Sequence, residues 1–291
     1  MSSHRDPNLT SAIRNRRSLL RRFLDQHFGD VRPLQADYRR RASTLLVPGG
    51  SADPAAIGAA FDFGVRFALD ADYVPEIAYY GFAGLPPCLD AIARVVEVAQ
   101  QAPPASAEFA SACWALALTT SVYREGGVPP DSPLVPLLRT QRFTADTLLR
   151  LASPDARRQL QKLAAIAGER LLPELLPPYD LGTTFATSRL MPADADLIAG
   201  GLLLDLKTRL GRRDPRTHAR TDSLPRTDIY QLVAYALFDR TDDHHIDAIG
   251  IYSARYGSLV RWPLADALAT LAGEPVDLPA ARDAVWRLLS T

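Results

Sequence analysis

The chain has 291 residues, 47% of them hydrophobic and 23% charged, which is enough apolar content for a packed core and excludes disordered, collagenous and disulfide-built classes. Its 33 basic residues balance 33 acidic ones, so no global field marks a nucleic-acid binder, and Cys88 and Cys113 are too few for a zinc cluster. That cysteine usage fits a reducing compartment and no apolar run reaches membrane-spanning length, so a cytoplasmic protein with no membrane partner is expected.

From Met1 to Ser43, 10 Arg face 4 Asp; from Thr44 to Val135, 3 Arg face 10 acids. The first block, with Arg14, Arg16, Arg17, Arg21 and Arg22, is expected to pair with the acidic block after it, a grip on nucleic acid being the alternative. Double prolines at Pro86-Pro87, Pro103-Pro104, Pro129-Pro130 and Pro177-Pro178 cut the first 180 residues into segments of helical length. Cys88 to Gln101 and Ser106 to Tyr123 carry apolar residues at three- and four-residue spacing, and residues 1–150 read as a mostly helical region open to a protein partner. Pro154 to Leu176 reads as a further amphipathic helix. Residues 183–189, 195–199 and 202–207 read as three consecutive strands, followed by a helix from about Arg226 to Arg240. Strands at 246–253 and 258–262 and a helix from about Pro279 to Leu289 complete an α/β unit over residues 151–291.

The informative stretch runs from Ala193 to Lys207. Gly200-Gly201 between two apolar runs signals a two-residue hairpin, because the turns that match strand twist need positive φ at both positions. Counting outward pairs Ala199 with Leu202, Ile198 with Leu203, Leu197 with Leu204 and Asp196 with Asp205. A one-residue slip would bring Asp194 onto that face instead; Asp196 is the favoured reading. Two carboxylates opposed on an apolar hairpin repel, and a divalent cation bridging them offsets the repulsion, hard oxygen ligands being what Mg²⁺ prefers. Strand periodicity puts Lys207 on the face of Asp205. Only two of the 33 basic residues are Lys, Lys162 and Lys207, and Lys207 falls where a compact cation beside carboxylates has a chemical task.

Asp196 followed by Asp205-Leu206-Lys207 resembles the D…(D/E)xK signature of the PD-(D/E)XK phosphodiesterase superfamily. Gln231 and Tyr235, four apart on the downstream helix, resemble the QxxxY pattern of its RecB-type and Cas4-type exonucleases. The likeness runs from about Pro154 to Trp262 and leaves the first 150 residues outside it. Ala195 stands where the family often has Pro, and Asp205 where Glu is commoner. The resemblance implies a PD-(D/E)XK-like core and metal-dependent hydrolysis of phosphodiester bonds, with DNA as the expected substrate and RNA a possible one. It implies that Asp196, Asp205 and the backbone carbonyl of Leu206 hold Mg²⁺ or Mn²⁺, that Lys207 orients or activates water, and that Gln231 and Tyr235 support the site. It also implies a further acidic ligand from the preceding helix, for which Glu169 and Glu174 are the candidates. Because the fold has non-cleaving relatives, the alternative is an inactive nuclease-like module that binds nucleic acid or assembles with protein.

Six arginines lie between Arg209 and Arg226. Arg209, Arg212 and Arg213 leave the DxK strand where a substrate phosphate would lie, and they are the candidate nucleic-acid contacts, against the reading of a solvated loop. His244 and His245, after Asp242-Asp243, read as a turn. Tyr73, Tyr79, Tyr80 and Phe82 read as packing residues.

Overall fold

A computed structural model describes residues 6–41 and 43–290. Among the described residues ten α-helices precede the first strand: α1 (Leu9–Arg14), α2 (Leu19–His27), α3 (Arg32–Arg40), α4 (Pro54–Leu69), α5 (Ile77–Tyr80), α6 (Pro86–Gln101), α7 (Ala107–Arg124), α8 (Leu134–Arg139), α9 (Ala145–Leu149) and α10 (Pro154–Arg170). Several start as the local chemistry dictates. The Asp53 side chain accepts from the amides of Ala55 and Ala56 ahead of α4, and Ser153 accepts from Ala156 ahead of α10, with Pro opening each helix. Among the described residues no helix is long and apolar enough to cross a membrane.

Strands β1 (Tyr179–Leu181), β2 (Leu197–Ala199) and β3 (Leu202–Lys207) come next, then the small pair β4 (Arg212–Arg213) and β5 (Arg220–Thr221), helix α11 (Arg226–Phe238), strands β6 (Ala248–Ser253) and β7 (Ser258–Pro263), and helices α12 (Leu264–Ala272) and α13 (Leu278–Ser290). The main sheet has the order β1-β2-β3-β6-β7; β3 and β6 run parallel and its other neighbours antiparallel. Because α11 lies between β3 and β6 in the chain, it is the crossover that a parallel pair requires. Gly200 and Gly201 take φ of 53° and 86°, and the hairpin closes in the register counted above, from Ala199 opposite Leu202 to Leu197 opposite Leu204.

Side-chain alternation gives each sheet face its own core. Leu197, Leu202, Leu204 and Tyr252 face a cluster with Ile57, Phe61, Val95, Leu116 and Leu163, contributed by α4, α6, α7 and α10. Ile198, Leu203, Ile249 and Ile251 face a second cluster with Leu20, Leu24, Tyr38, Ile229, Val233 and Leu268, contributed by α2, α3, α11 and α12. The protein is therefore an α/β fold with helices on both sides of a mixed five-stranded sheet. Both clusters join residues before 150 to residues after it, so the boundary between helical and α/β sequence is not a boundary of the core.

Three readings of the sequence change. Residues 183–189 do not form the first strand: β1 begins directly after Pro178, and residues 186–189 make a 3₁₀ turn. There the Ser188 hydroxyl accepts from the Phe185 amide and donates to the Ala193 carbonyl, side-chain bonds that replace a ladder. Helix α12, with Leu264, Leu268 and Leu271 buried at i, i+4 and i+7, was absent from the sequence reading. Among the described residues no ion pair joins the N-terminal arginines to the acidic block. Arg21 pairs with Asp25 at 2.9 Å and Arg40 with Asp37 at 2.9 Å, because α1 to α3 cover the sheet face opposite α4 to α7.

Candidate active site

The site forms where β2 and β3 stop pairing. β2 begins at Leu197, and one residue earlier the Asp196 carboxylate takes over the ladder: its Oδ2 accepts from the Leu206 amide at 2.8 Å. The amide and carbonyl of a strand residue point to the same neighbour, so the Leu206 carbonyl looks toward the Asp196 side. Asp205 follows Leu204, the last β3 residue paired with β2, and its side chain is only 3% exposed. Its Oδ2 meets Lys207 Nζ at 2.6 Å in an ion pair whose angles fall outside hydrogen-bond geometry.

Helix α11 supplies the opposite wall. Lys207 Nζ donates to Gln231 Oε1 at 3.4 Å, Gln231 Nε2 donates to the Tyr235 hydroxyl at 2.9 Å, and that hydroxyl donates to the Asp194 carbonyl at 2.7 Å. This relay ties the helix to the approach of β2 and orients the Gln231 amide with its oxygen toward Lys207. The site is rich in carboxylates, and its proton affinities reflect that. Burial pushes the Asp205 carboxyl up to about 7, against the pull of the Lys207 ammonium and with the help of Asp196 and Asp228. Burial works to lower the Lys207 pKa, but Asp205, Asp228 and Asp196 together outweigh it and hold the group above its ordinary value. Burial, with Asp196 and Asp205 nearby, raises the Tyr235 hydroxyl well above its usual range.

Asp62 and Arg66 of α4 are contributors that the sequence reading missed. Arg66 Nη2 pairs with Asp62 Oδ2 at 2.6 Å and Arg66 Nη1 donates to the Tyr73 hydroxyl at 2.9 Å. Burial pushes Asp62 up to about 7; Arg66 opposes the shift and the nearby Asp196 charge adds to it. Gly182 admits the arginine, since a Cβ there would stand 2.0 Å from Arg66 Nη1. The available signal was an Asp and an Arg four apart in the otherwise apolar Phe61-Asp62-Phe63-Gly64-Val65-Arg66-Phe67. Asp228 was missed too, although it precedes Gln231 by three and Tyr235 by seven on one helix face. Beside the site a cleft of about 660 Å³ is lined by Asp62, Arg66, Tyr73, Tyr80, Arg124 and Asp194.

The other candidates lie elsewhere. Glu169 and Glu174 are exposed, and Glu174 faces Arg261 at 3.7 Å. Asp194 is exposed and pairs with Arg124 at 3.2 Å. Arg209 is committed to carboxylates, being ion-paired with Asp228 and 3.9 Å from Asp222, and it donates to the Ser223 carbonyl at 2.6 Å. Arg212 and Arg213 form β4 and are exposed. His244, expected in a solvated turn, is half-buried, with Nδ1 2.9 Å from Asp180 Oδ2.

A divalent cation fits the donor set. Asp196, Asp205 and the Leu206 carbonyl offer only oxygen, and Asp205 Oδ2 is buried with the Lys207 ammonium 2.6 Å away. Among the described residues no three His, Cys, Asp or Glu side chains gather as a metal-holding group. Mg²⁺ needs no such trio, because it is bound through one or two carboxylates and keeps waters and substrate phosphates as its other ligands. Comparison of the chain with family models, curated proteins and solved structures returns no match.

Proposed function

We propose that the chain is a metal-dependent phosphodiester hydrolase acting on DNA, with Asp196, Asp205 and Lys207 at the reacting centre. One observation carries the reading: the Asp196 carboxylate accepts the Leu206 amide, its charge acts on the buried Asp205, and a lysine two residues on, one of two in the chain, lies 2.6 Å from Asp205. The resemblance to PD-(D/E)XK nucleases of the RecB and Cas4 type supports the same assignment.

Asp196, Asp205 and the Leu206 carbonyl would hold Mg²⁺ or Mn²⁺, with Asp62 beside them. Such an ion, when bound, lowers the pKa of water and neutralises charge on the scissile phosphate. Lys207 is held as an ammonium by the carboxylates around it, so it serves as a hydrogen-bond donor to water or to a phosphate oxygen and not as a base. Gln231 and Tyr235 act through it: the relay from the Asp194 carbonyl fixes the amide oxygen that accepts a hydrogen bond from Lys207. They are positioning residues.

The test incubates the full chain with linear, circular and single-stranded DNA and with RNA, in Mg²⁺, Mn²⁺ or EDTA, beside Asp205→Ala and Lys207→Ala. Divalent-dependent cleavage of DNA that both substitutions abolish is the expected result; cleavage that survives EDTA or either substitution overturns the reading. A second reading, a nuclease-like fold that binds without cutting, draws on the Lys207 ammonium standing on the carboxylate oxygen that a metal would need. It predicts DNA binding with no cleavage under any of these conditions.

A further inference from the structure

The segment between β3 and α11 is a ribbon pinned at its base and free at its end. At the base, Arg209 holds Asp228 and the Ser223 carbonyl, Tyr256 donates its hydroxyl to the Leu210 carbonyl at 2.8 Å, Tyr38 donates to Asp222, and Arg220 donates to the Gly211 carbonyl at 3.3 Å. Beyond it, every residue from Arg212 to Ala219 is exposed. β4 and β5 pair antiparallel, Arg212 opposite Thr221 and Arg213 opposite Arg220. Adjacent strand residues point to opposite faces, so Arg212 lies on one face of the ribbon and Arg213 on the other, with Arg216 in the connecting loop. Among the described residues no ion pair joins any of these three to a carboxylate, although the Arg212 charge acts on Asp214. The nearby Asp214 is occupied by the amides of Arg216 and Thr217, at 2.7 and 2.8 Å.

Cations on both faces of a free ribbon suit a place between two phosphate walls. A ribbon lying flat on a single strand needs them on one face only. The major groove of B-form DNA, about 12 Å wide, admits a two-stranded ribbon, whereas the minor groove at about 6 Å and the deep, narrow major groove of duplex RNA do not. Reach agrees: Arg212 follows Lys207 by five residues, at most about 18 Å of chain, or about five base pairs of B-form DNA at 3.4 Å each. The cleft on the other side of the site, with Asp62, Glu76 and Asp194 against Arg66 and Arg124, has no cationic excess to hold a backbone.

We propose that the β4–β5 ribbon enters the major groove of a DNA duplex presented to the Asp205 site, with Arg212 and Arg213 on phosphates of opposite walls and Arg216 at the tip. The proposal rests on the functional reading above for DNA as the substrate and for the Asp205 site as the place where it is presented.

Binding is measured by fluorescence anisotropy in EDTA over a salt series, with a short DNA duplex, the corresponding single strand and an RNA duplex. The proteins are the full chain, the triple variant Arg212→Ala/Arg213→Ala/Arg216→Ala, and the corresponding triple Lys variant. The wild type is expected to prefer the DNA duplex. The Ala variant should lose roughly a hundredfold in duplex affinity at 0.1 M salt and show a log–log salt slope shallower by about 2 to 3, while single-strand binding holds and the Lys variant keeps most of the affinity. Unchanged duplex binding in the Ala variant overturns the proposal. So do an equal loss on single strands, equal binding of the RNA duplex, or no binding by the wild type. Hydrolysis of bis(p-nitrophenyl) phosphate with Mn²⁺, a diester too small to reach the ribbon, reports on the Asp205 site separately. Hydrolysis with the ribbon variants unaffected in DNA binding removes the ribbon and leaves the site; the expected binding pattern with no hydrolysis of any diester removes the site's activity and leaves the ribbon.

Discussion

Helix α11 has a buried charge cluster at each end, and the two are built on opposite principles. At its C-terminal end Arg282 of α13 is 4% exposed, donates from Nε to the Ala236 carbonyl at 3.0 Å and from Nη1 to Asp242 at 2.7 Å, and pairs through Nη2 with Asp239 at 3.4 Å. Asp239 also accepts from the Asp243 amide at 3.0 Å, so the cluster is saturated. Toward the N-terminal end, Asp196, Asp205 and Asp228 surround Lys207, which stands 2.6 Å from Asp205 Oδ2, and Asp62 pairs with Arg66 close to Asp196. Burial raises the carboxyls of Asp205 and Asp239 alike, so burial does not distinguish the two ends. The first cluster spends its hydrogen bonds on joining α11 to α13. The second keeps an excess of carboxylate that a cation would relieve, which is why it is the candidate site.

The comparison predicts that substitutions at the two ends fail differently. The largest effect is catalytic: Asp205→Ala should lower metal-dependent DNA cleavage by about 10³-fold, or about 4 kcal/mol of barrier, with the thermal midpoint nearly unchanged. Arg282→Ala should do the reverse. It leaves Asp239 buried without its cation and should cost about 3–5 kcal/mol in urea unfolding, while the folded fraction keeps its turnover. A large stability loss in Asp205→Ala, or none in Arg282→Ala, breaks the comparison.

The next effect is in pH. The Asp205 carboxyl sits at about 7 in the folded chain and near 3.8 unfolded, so between those values the folded state binds the proton more tightly. Its contribution to stability is therefore present below pH 4 and is lost as pH rises to about 7, on the order of 1–3 kcal/mol. Urea unfolding in EDTA at pH 4.5, 6 and 7.5 should show a smaller decline in Asp205→Asn than in the wild type, and Mg²⁺ at pH 7.5 should stabilise only the wild type. Identical pH dependence in the two proteins would remove the carboxylate excess from the account. The smallest effect belongs to Gln231→Ala, which releases Lys207 from its acceptor: kcat should fall about tenfold and KM stay unchanged, measured on a DNA duplex in Mn²⁺.

Much of the sheet side of the site was legible because its signals are local. The turn at Gly200-Gly201 sets a register, the register sets Asp196 against Asp205, and a period of two carries Lys207 to the same face. Helical spacing puts Gln231 and Tyr235 on one face, and it was the resemblance to the QxxxY pattern that singled them out. What arrives from far along the chain was not legible. Asp62 and Arg66 precede the strands by more than a hundred residues, and only the packing of α4 against the sheet brings them in. Arg209 looked like a phosphate contact because its partners Asp222 and Asp228 come from the far side of the ribbon and the start of α11. The first strand was misplaced for the opposite reason: Thr183 and Thr184 do pair, Thr184 bridging to Asp194, but the Ser188 hydroxyl captures the backbone from Phe185 on into a turn.

The central claim, that Asp196 and Asp205 hold a divalent cation, is tested most directly by Mn²⁺ titration at pH 7.5 followed by electron paramagnetic resonance, with and without a short DNA duplex. The account predicts tight uptake of Mn²⁺ by the wild type that the duplex strengthens and that Asp205→Asn abolishes without unfolding the chain. Equal uptake by the two proteins, or none by the wild type even with the duplex present, contradicts it.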